Sequence, residues 1–208
     1  MDNIYVCPQN LIRISGTEYD AAILANKLKK NSDILNNSGG GITLTGGEVL
    51  AQPVFLLELL NDLNGLHRAI ETSGYGSHEV FINAISKCEL VIMDIKAVND
   101  DIHTQYTGVS NKIILKNLEL LKESEVPFII RIPLIPGVND TSDNLLASIT
   151  LAANSKNLVK FELLPYNKMA GAKYAMLGLD YNISFDQNKH PNFHEYILKE
   201  HNIPYNIL

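Results

Sequence analysis

The chain has 208 residues and a net charge of -6, with 46% hydrophobic and 19% charged residues, 13 Gly and 8 Pro, which excludes disordered, collagen-like and coiled-coil chains. A chain of this length buries about 70% of the surface its unfolded form exposes, which is enough for one full core, so a single globular unit is expected. Lys and Arg are scattered, no apolar run approaches a membrane helix, and Met1-Asp2-Asn3-Ile4 lacks signal-peptide character; no nucleic acid and no membrane are expected as partners, and the cytoplasm is the default location.

Thr17 followed by Asp20 predicts a capping box opening a helix over residues 18–30, with Ala21, Leu24, Ala25 and Leu28 as its apolar stripe. A polar, glycine-rich stretch over 36–41 precedes the β-type run Ile42-Thr43-Leu44-Thr45. Gln52-Pro53 then starts an apolar helix over 54–63, which Asn64-Gly65 ends. The unit repeats: strands over 66–72, 90–95, 128–132 and 159–164 alternate with helices over 77–86, 111–124, 141–154 and 193–201. Several of these strands read as apolar on both faces, the pattern of a parallel sheet covered by helices, so the class is α/β.

Polar residues gather at the strand ends: Thr45-Gly46-Gly47-Glu48, Glu71-Thr72-Ser73-Gly74, Asp94 with Lys96, Arg131, and Pro165-Tyr166-Asn167. A doubly wound sheet focuses its ligand at one switch point, whereas a β/α barrel brings every strand's carboxyl end to one mouth. The closed or partial β/α barrel is therefore the favoured architecture.

Gly46 and Gly47 let the backbone approach a ligand closely. Glu48 either offers its carboxylate to a cationic ligand group or sits near the start of the next helix and stabilises its dipole. No Lys-Ser or Lys-Thr follows, which excludes a Walker-type loop. Asp94 and Lys96 are two residues apart on one strand and face the same side, toward the mouth. Lys96 has three readings: a Schiff-base lysine as in aldolase-type barrels, a ligand for a substrate carboxylate or hydroxyl, or a simple partner of Asp94. Arg131, inside Phe128-Ile129-Ile130-Arg131-Ile132, needs an anionic partner, either Glu71, Asp94 or a ligand carboxylate. The six histidines contain no HExxH pattern, and His190 and His194 read as a solvated pair flanking Pro191. Two cysteines, Cys7 and Cys88, supply neither a zinc site nor a disulfide framework and read as free thiols.

Taken in order, Gly40-Gly41-Ile42-Thr43-Leu44-Thr45-Gly46-Gly47-Glu48, Glu71-Thr72-Ser73-Gly74-Tyr75, Met93-Asp94-Ile95-Lys96, Tyr106-Thr107-Gly108-Val109-Ser110-Asn111, Arg131-Ile132-Pro133-Leu134-Ile135-Pro136-Gly137 and Leu163-Leu164-Pro165-Tyr166-Asn167 strongly resemble the glycyl-radical enzyme activating family. That family, which includes pyruvate formate-lyase activating enzyme, belongs to the radical S-adenosylmethionine (SAM) enzymes. The resemblance implies a partial (β/α) barrel whose mouth holds SAM against a [4Fe–4S] cluster. It further implies a 5′-deoxyadenosyl radical that abstracts hydrogen from a glycine of a glycyl-radical enzyme, the expected partner. By the same resemblance Gly46, Gly47 and Glu48 bind the SAM amino group, Asp94 and Lys96 contact SAM, and Arg131 lies near its carboxylate. Asn167 falls where some members place a histidine beside the adenine. Glu71, Thr72 and Asp94 match positions that bind a monovalent cation in some members, Glu standing for Asp at the first.

The sequence departs from the family in lacking CxxxCxxC and nearly all of the ferredoxin-like insert; Cys7-Pro8 resembles the end of that insert, where the last cysteine of a second iron–sulfur motif precedes proline, so the resemblance implies that Cys7 is a remnant iron–sulfur ligand. The chain is accordingly expected to be N-terminally truncated, with residues 1–16 a remnant of the insert and 17–208 a radical SAM barrel lacking its first strand. It is expected to hold no [4Fe–4S] cluster and to be inactive alone, since thiolate ligation is obligatory. The alternative is a truncated, non-catalytic paralogue that binds SAM or the partner, and the Schiff-base barrel is a third reading. A missing first strand predicts an exposed edge at Ile42 to Thr45, covered by a second chain in an edge-strand dimer or by residues 3–7.

Overall fold

The computed structural model describes residues 16–208. Six strands, β1 (Ile42–Leu44), β2 (Arg68–Thr72), β3 (Leu90–Asp94), β4 (Phe128–Leu134), β5 (Leu158–Pro165) and β6 (Tyr205–Ile207), form one sheet in which sequence neighbours are space neighbours and every pair is parallel. The strand order never reverses, so there is no switch point, and right-handed crossovers that always step the same way leave the helices on one side. The result is a partial β/α barrel, unclosed among the described residues, with β1 and β6 each paired to a single strand. The expectations for Cys7 and for residues 3–7 at the β1 edge lie outside the described residues.

The helices are α1 (Ala21–Lys29), α2 (Ser32–Asn37), α3 (Pro53–Asp62), α4 (His78–Ile85), α5 (Asp100–Thr107), α6 (Lys112–Glu123), α7 (Ser142–Ala152), α8 (Ala170–Met176) and α9 (Glu195–Glu200). The first begins later than the predicted capping box. Asp20 is itself the N-cap, its Oδ1 accepting from Ala22 N at 2.9 Å and Ile23 N at 3.3 Å, so Thr17 stands outside the helix. α2, α5, α8 and β6 were not expected from the sequence. α5 shows why: its segment is polar, and its ends rather than an apolar stripe define it, with the Asn99 side chain accepting from Ile102 N and Gly108 closing it at φ +81°.

The strands also alternate more cleanly than their sequences suggest. Ile70, Val91 and Phe128 share one face by register, as do Met93, Ile130 and Phe161, and all six are fully buried beneath the helices. The other face carries Glu71, Asp94, Arg131 and Glu162. Strands covered by helices on one side only need one apolar face, and these follow that rule. The main core joins this face to Leu60, Phe81, Leu118 and Leu198 from the helices; a smaller cluster of Ala21, Ala25, Leu59, Leu63 and Leu66 seats α1 on α3. At the start of β1, Gly41 lets two backbones meet: a Cβ there would lie 2.2 Å from the His67 carbonyl oxygen, which also accepts from Ile42 N at 2.8 Å.

Candidate functional site

Because all six strands run the same way, their carboxyl ends share one rim, and the loops there are tied to one another by side chains. The Glu48 carboxylate takes four hydrogen bonds. Oε1 accepts from Leu50 N at 3.1 Å and Thr72 Oγ1 at 2.5 Å; Oε2 accepts from Ser73 N at 2.9 Å and Ser73 Oγ at 2.5 Å. Those four fill the carboxylate's acceptor sites, so Glu48 caps the short 3₁₀ turn Val49–Ala51 and lashes the loop after β1 to the end of β2. Beside it, Gly46 and Gly47 have nothing within 4 Å of where a Cβ would stand. A cavity of about 330 Å³ opens along Thr43, Thr45, Gly46, Gly47 and Phe55.

Three buried asparagines hold the rim loops after β2, β3 and β4. Asn117 Nδ2 donates to Gly74 O and Gly76 O while its Oδ1 pairs with His78 Nδ1 at 2.7 Å; Asn111 Nδ2 donates to Ala97 O and Val98 O; Asn139 Nδ2 donates to Lys96 O and Pro133 O. An amide that donates twice to backbone carbonyls replaces the pairing that a loop cannot supply for itself.

On the open face of the sheet the charged side chains form a connected row. Asp94, Arg131 and Glu162 stand in register on β3, β4 and β5. Arg131 Nη1 lies 2.8 Å from Glu71 Oε1, while Nε and Nη2 both donate to Glu162 Oε2, at 3.0 and 2.8 Å. Glu162 Oε1 takes Lys160 Nζ at 3.0 Å, and Lys96 Nζ lies 3.7 Å from Asp94 Oδ2. Burial opposes the charge on Arg131, yet the hydrogen bonds and negative charges of Glu162 and Glu71 hold its guanidinium above the ordinary range. Burial likewise opposes ionisation of Glu162, but bonds from Arg131 and Lys160 keep it below the usual carboxylate value. Asp94 goes the other way: burial raises it, the Glu71 charge adds to that, and Lys96 and Arg131 only partly compensate. Its Oδ1 is buried with no hydrogen-bond partner among the described residues.

Several residues named from the sequence thus come together. Glu71, Asp94, Lys96 and Arg131 share the open face, and Arg131 finds one of its anticipated partners, Glu71. Its second partner, Glu162, was not foreseen, although a carboxylate within Phe161-Glu162-Leu163 is the signal that marks it. Thr72 is turned to the opposite face from Glu71 by the pleat of β2 and gives its hydroxyl to Glu48, so the side chains of Glu71, Thr72 and Asp94 do not converge. Asn167 is exposed on the rim, its Oδ1 accepting from Met169 N at 2.9 Å. Cys88 lies at the amino end of β3, remote from that rim, buried and donating to Ala84 O at 3.2 Å; burial pushes its thiol up to about 12.

The family model of the Radical SAM superfamily matches residues 7–149, and the chain belongs to that superfamily. The choline trimethylamine-lyase activating enzyme of Oleidesulfovibrio alaskensis is 37% identical over 181 residues, which are 85% of this chain and 58% of that protein. The pyruvate formate-lyase-activating enzyme of Clostridium pasteurianum is 34% identical over 188 residues, 88% of this chain and 79% of that one. A crystal structure of a domain of pyruvate-formate lyase-activating enzyme from Bacteroides vulgatus superposes with a TM-score of 0.64 at 28% identity, covering 82% of this chain and 99% of that domain. Within the superfamily the chain is therefore a member of the glycyl-radical enzyme activating family, of which it spans a little under three fifths of several relatives' length.

The superfamily implies SAM and a [4Fe–4S] cluster, and the described residues treat the two differently. An uncovered Gly46-Gly47 backbone, an unpartnered acceptor on Asp94 and a guanidinium on the same face suit a small zwitterion. The cluster is not matched: its ligation needs several thiolates close together, and the sequence holds two cysteines, with Cys88 buried at the far end of the strand.

Proposed function

We propose that this chain is the SAM-binding portion of a glycyl-radical enzyme activating enzyme. The observation that carries the reading is the pairing across β3 and β4. Asp94, with a buried oxygen that no described residue bonds, and Arg131, a permanent cation, stand in register at the rim and offer complementary partners to an amino acid's ammonium and carboxylate. Lys96, two residues beyond Asp94, adds a second cation, and Asn167 offers a polar edge for a base. Where a reduced cluster stands beside it, bound SAM would supply the radical chemistry that takes hydrogen from a glycine of a partner enzyme. The task of the residues here is to bind SAM, orient its amino-acid end and neutralise both of its charges. Relatives that activate choline trimethylamine-lyase and pyruvate formate-lyase support a glycyl-radical enzyme as the partner class. Titration calorimetry of SAM into the chain tests the reading: heat is expected from the wild type and none from Arg131→Ala, and equal heats from both would overturn it.

A second reading, a SAM- or partner-binding protein without catalysis, is favoured by the cysteine inventory. On that reading the chain binds no cluster and does not cleave SAM. Anaerobic reconstitution followed by iron and sulfide assay decides it, since about four irons per chain with a charge-transfer band would refute it.

A further inference from the structure

Arg131 is claimed on both sides before any ligand arrives. Glu162 grips it through two donors, Nε and Nη2, and is itself fixed by Lys160; its side chain is only 7% exposed. Glu71 reaches the third guanidinium nitrogen through one contact, 2.8 Å, and its side chain is 31% exposed. The two carboxylates are therefore unequal. Removing Glu162 would leave Arg131 and Lys160 short of a buried counter-charge, which is expensive, whereas Glu71 can turn toward solvent at little cost.

We propose that Arg131 exchanges one anion for another: Glu162 is the positioning residue that fixes the guanidinium plane, and Glu71 is a resident stand-in that the carboxylate of an incoming amino-acid ligand displaces. This rests on the SAM reading above. The exchange conserves charge at Arg131, since one carboxylate leaves Nη1 as another arrives. It also favours a zwitterion over a simple acid. A zwitterion brings an ammonium that offsets the freed Glu71 charge, while a plain carboxylate leaves an additional unpaired anion on a face that already holds Asp94. Selectivity for an amino-acid moiety thus arises from the occupied state of the site.

The test compares SAM with decarboxylated SAM, which keeps the adenosyl group, sulfonium and amine, by calorimetry on the full chain. Glu71→Gln removes the competing charge, and since both ligands carry the sulfonium and amine and lose its attraction alike, the variant should raise the preference for SAM over decarboxylated SAM by about threefold. Glu162→Gln should weaken SAM by about tenfold or more and spare the decarboxylated ligand, because it disorders only the carboxylate's partner. Should Glu162→Gln fail to fold, Glu71→Gln still decides the question, its side chain being partly solvated. A preference for SAM over decarboxylated SAM that is unchanged or lowered in Glu71→Gln, or equal effects of Glu162→Gln on both ligands, would overturn the exchange while leaving SAM binding intact. A wild-type chain that binds neither ligand would overturn the SAM reading itself, and the exchange with it.

Discussion

Two carboxylates at the rim have opposite fates. Glu48 is satisfied, and each of its four donors loses its partner if the side chain is cut back, so Glu48→Ala should cost about 2 kcal/mol, read as a lower urea midpoint at unchanged slope. Asp94 is the reverse case. Its folded pKa lies above the ordinary carboxyl value of 3.8, so the folded chain binds a proton that the unfolded chain has released, and the sign follows. The contribution to stability is fully present below pH 3.8 and is lost as pH rises through the folded pKa, which leaves ionised Asp94 a liability at neutrality. Asp94→Asn should therefore stabilise the chain at pH 7 by about 1 kcal/mol, with the gain vanishing in acid. A variant no more stable than wild type at pH 7, or equally stabilised at pH 3, would show that Oδ1 is satisfied in solution.

Among the elements, β1 is the most precarious: three residues long, paired to β2 alone among the described residues, and admitted only because Gly41 has no side chain. Gly41→Ala drives a methyl group against the His67 carbonyl, and should cost about 2 kcal/mol with faster amide exchange at Ile42; a variant with wild-type exchange there would contradict the packing. The same strand shows what a sequence can reveal. Elements with their own periodicity or punctuation, such as α3 between Pro53 and Gly65 or α6 with its apolar stripe, are legible because local signals and tertiary packing agree. α5 and β6 are not, since one is made by its caps and the other, Tyr205–Ile207, by having β5 to lie against. At the site, Asp94 and Arg131 are legible from strand parity; Lys96 lies two residues past the end of β3 rather than on the strand, and only its nearness to Asp94 is legible from the spacing. Glu162 as a clamp and the asparagine ties are not, because they depend on which strands become neighbours and in what register.

For the molecule as a whole, the thiol at the amino end of β3 is a reporter of global opening. Burial pushes its pKa up to about 12, so the native thiol stays protonated at pH 8 and is shielded from reagents as well. In a Cys7→Ser background, labelling by a disulfide reagent should therefore wait on unfolding and accelerate through the urea transition; rapid labelling of the native chain would mean that the core around α4 opens locally. The open face has a different collective property. Among the described residues its three anions, Glu71, Asp94 and Glu162, are matched by three cations, Lys96, Arg131 and Lys160, on a chain whose net charge is -6. A locally neutral face projects little field beyond the rim, so a charged ligand arrives by unsteered diffusion and its association rate should barely respond to ionic strength. Discrimination between ligands then resides in residence time: a molecule that completes the charge row stays, and one that leaves it unbalanced departs quickly.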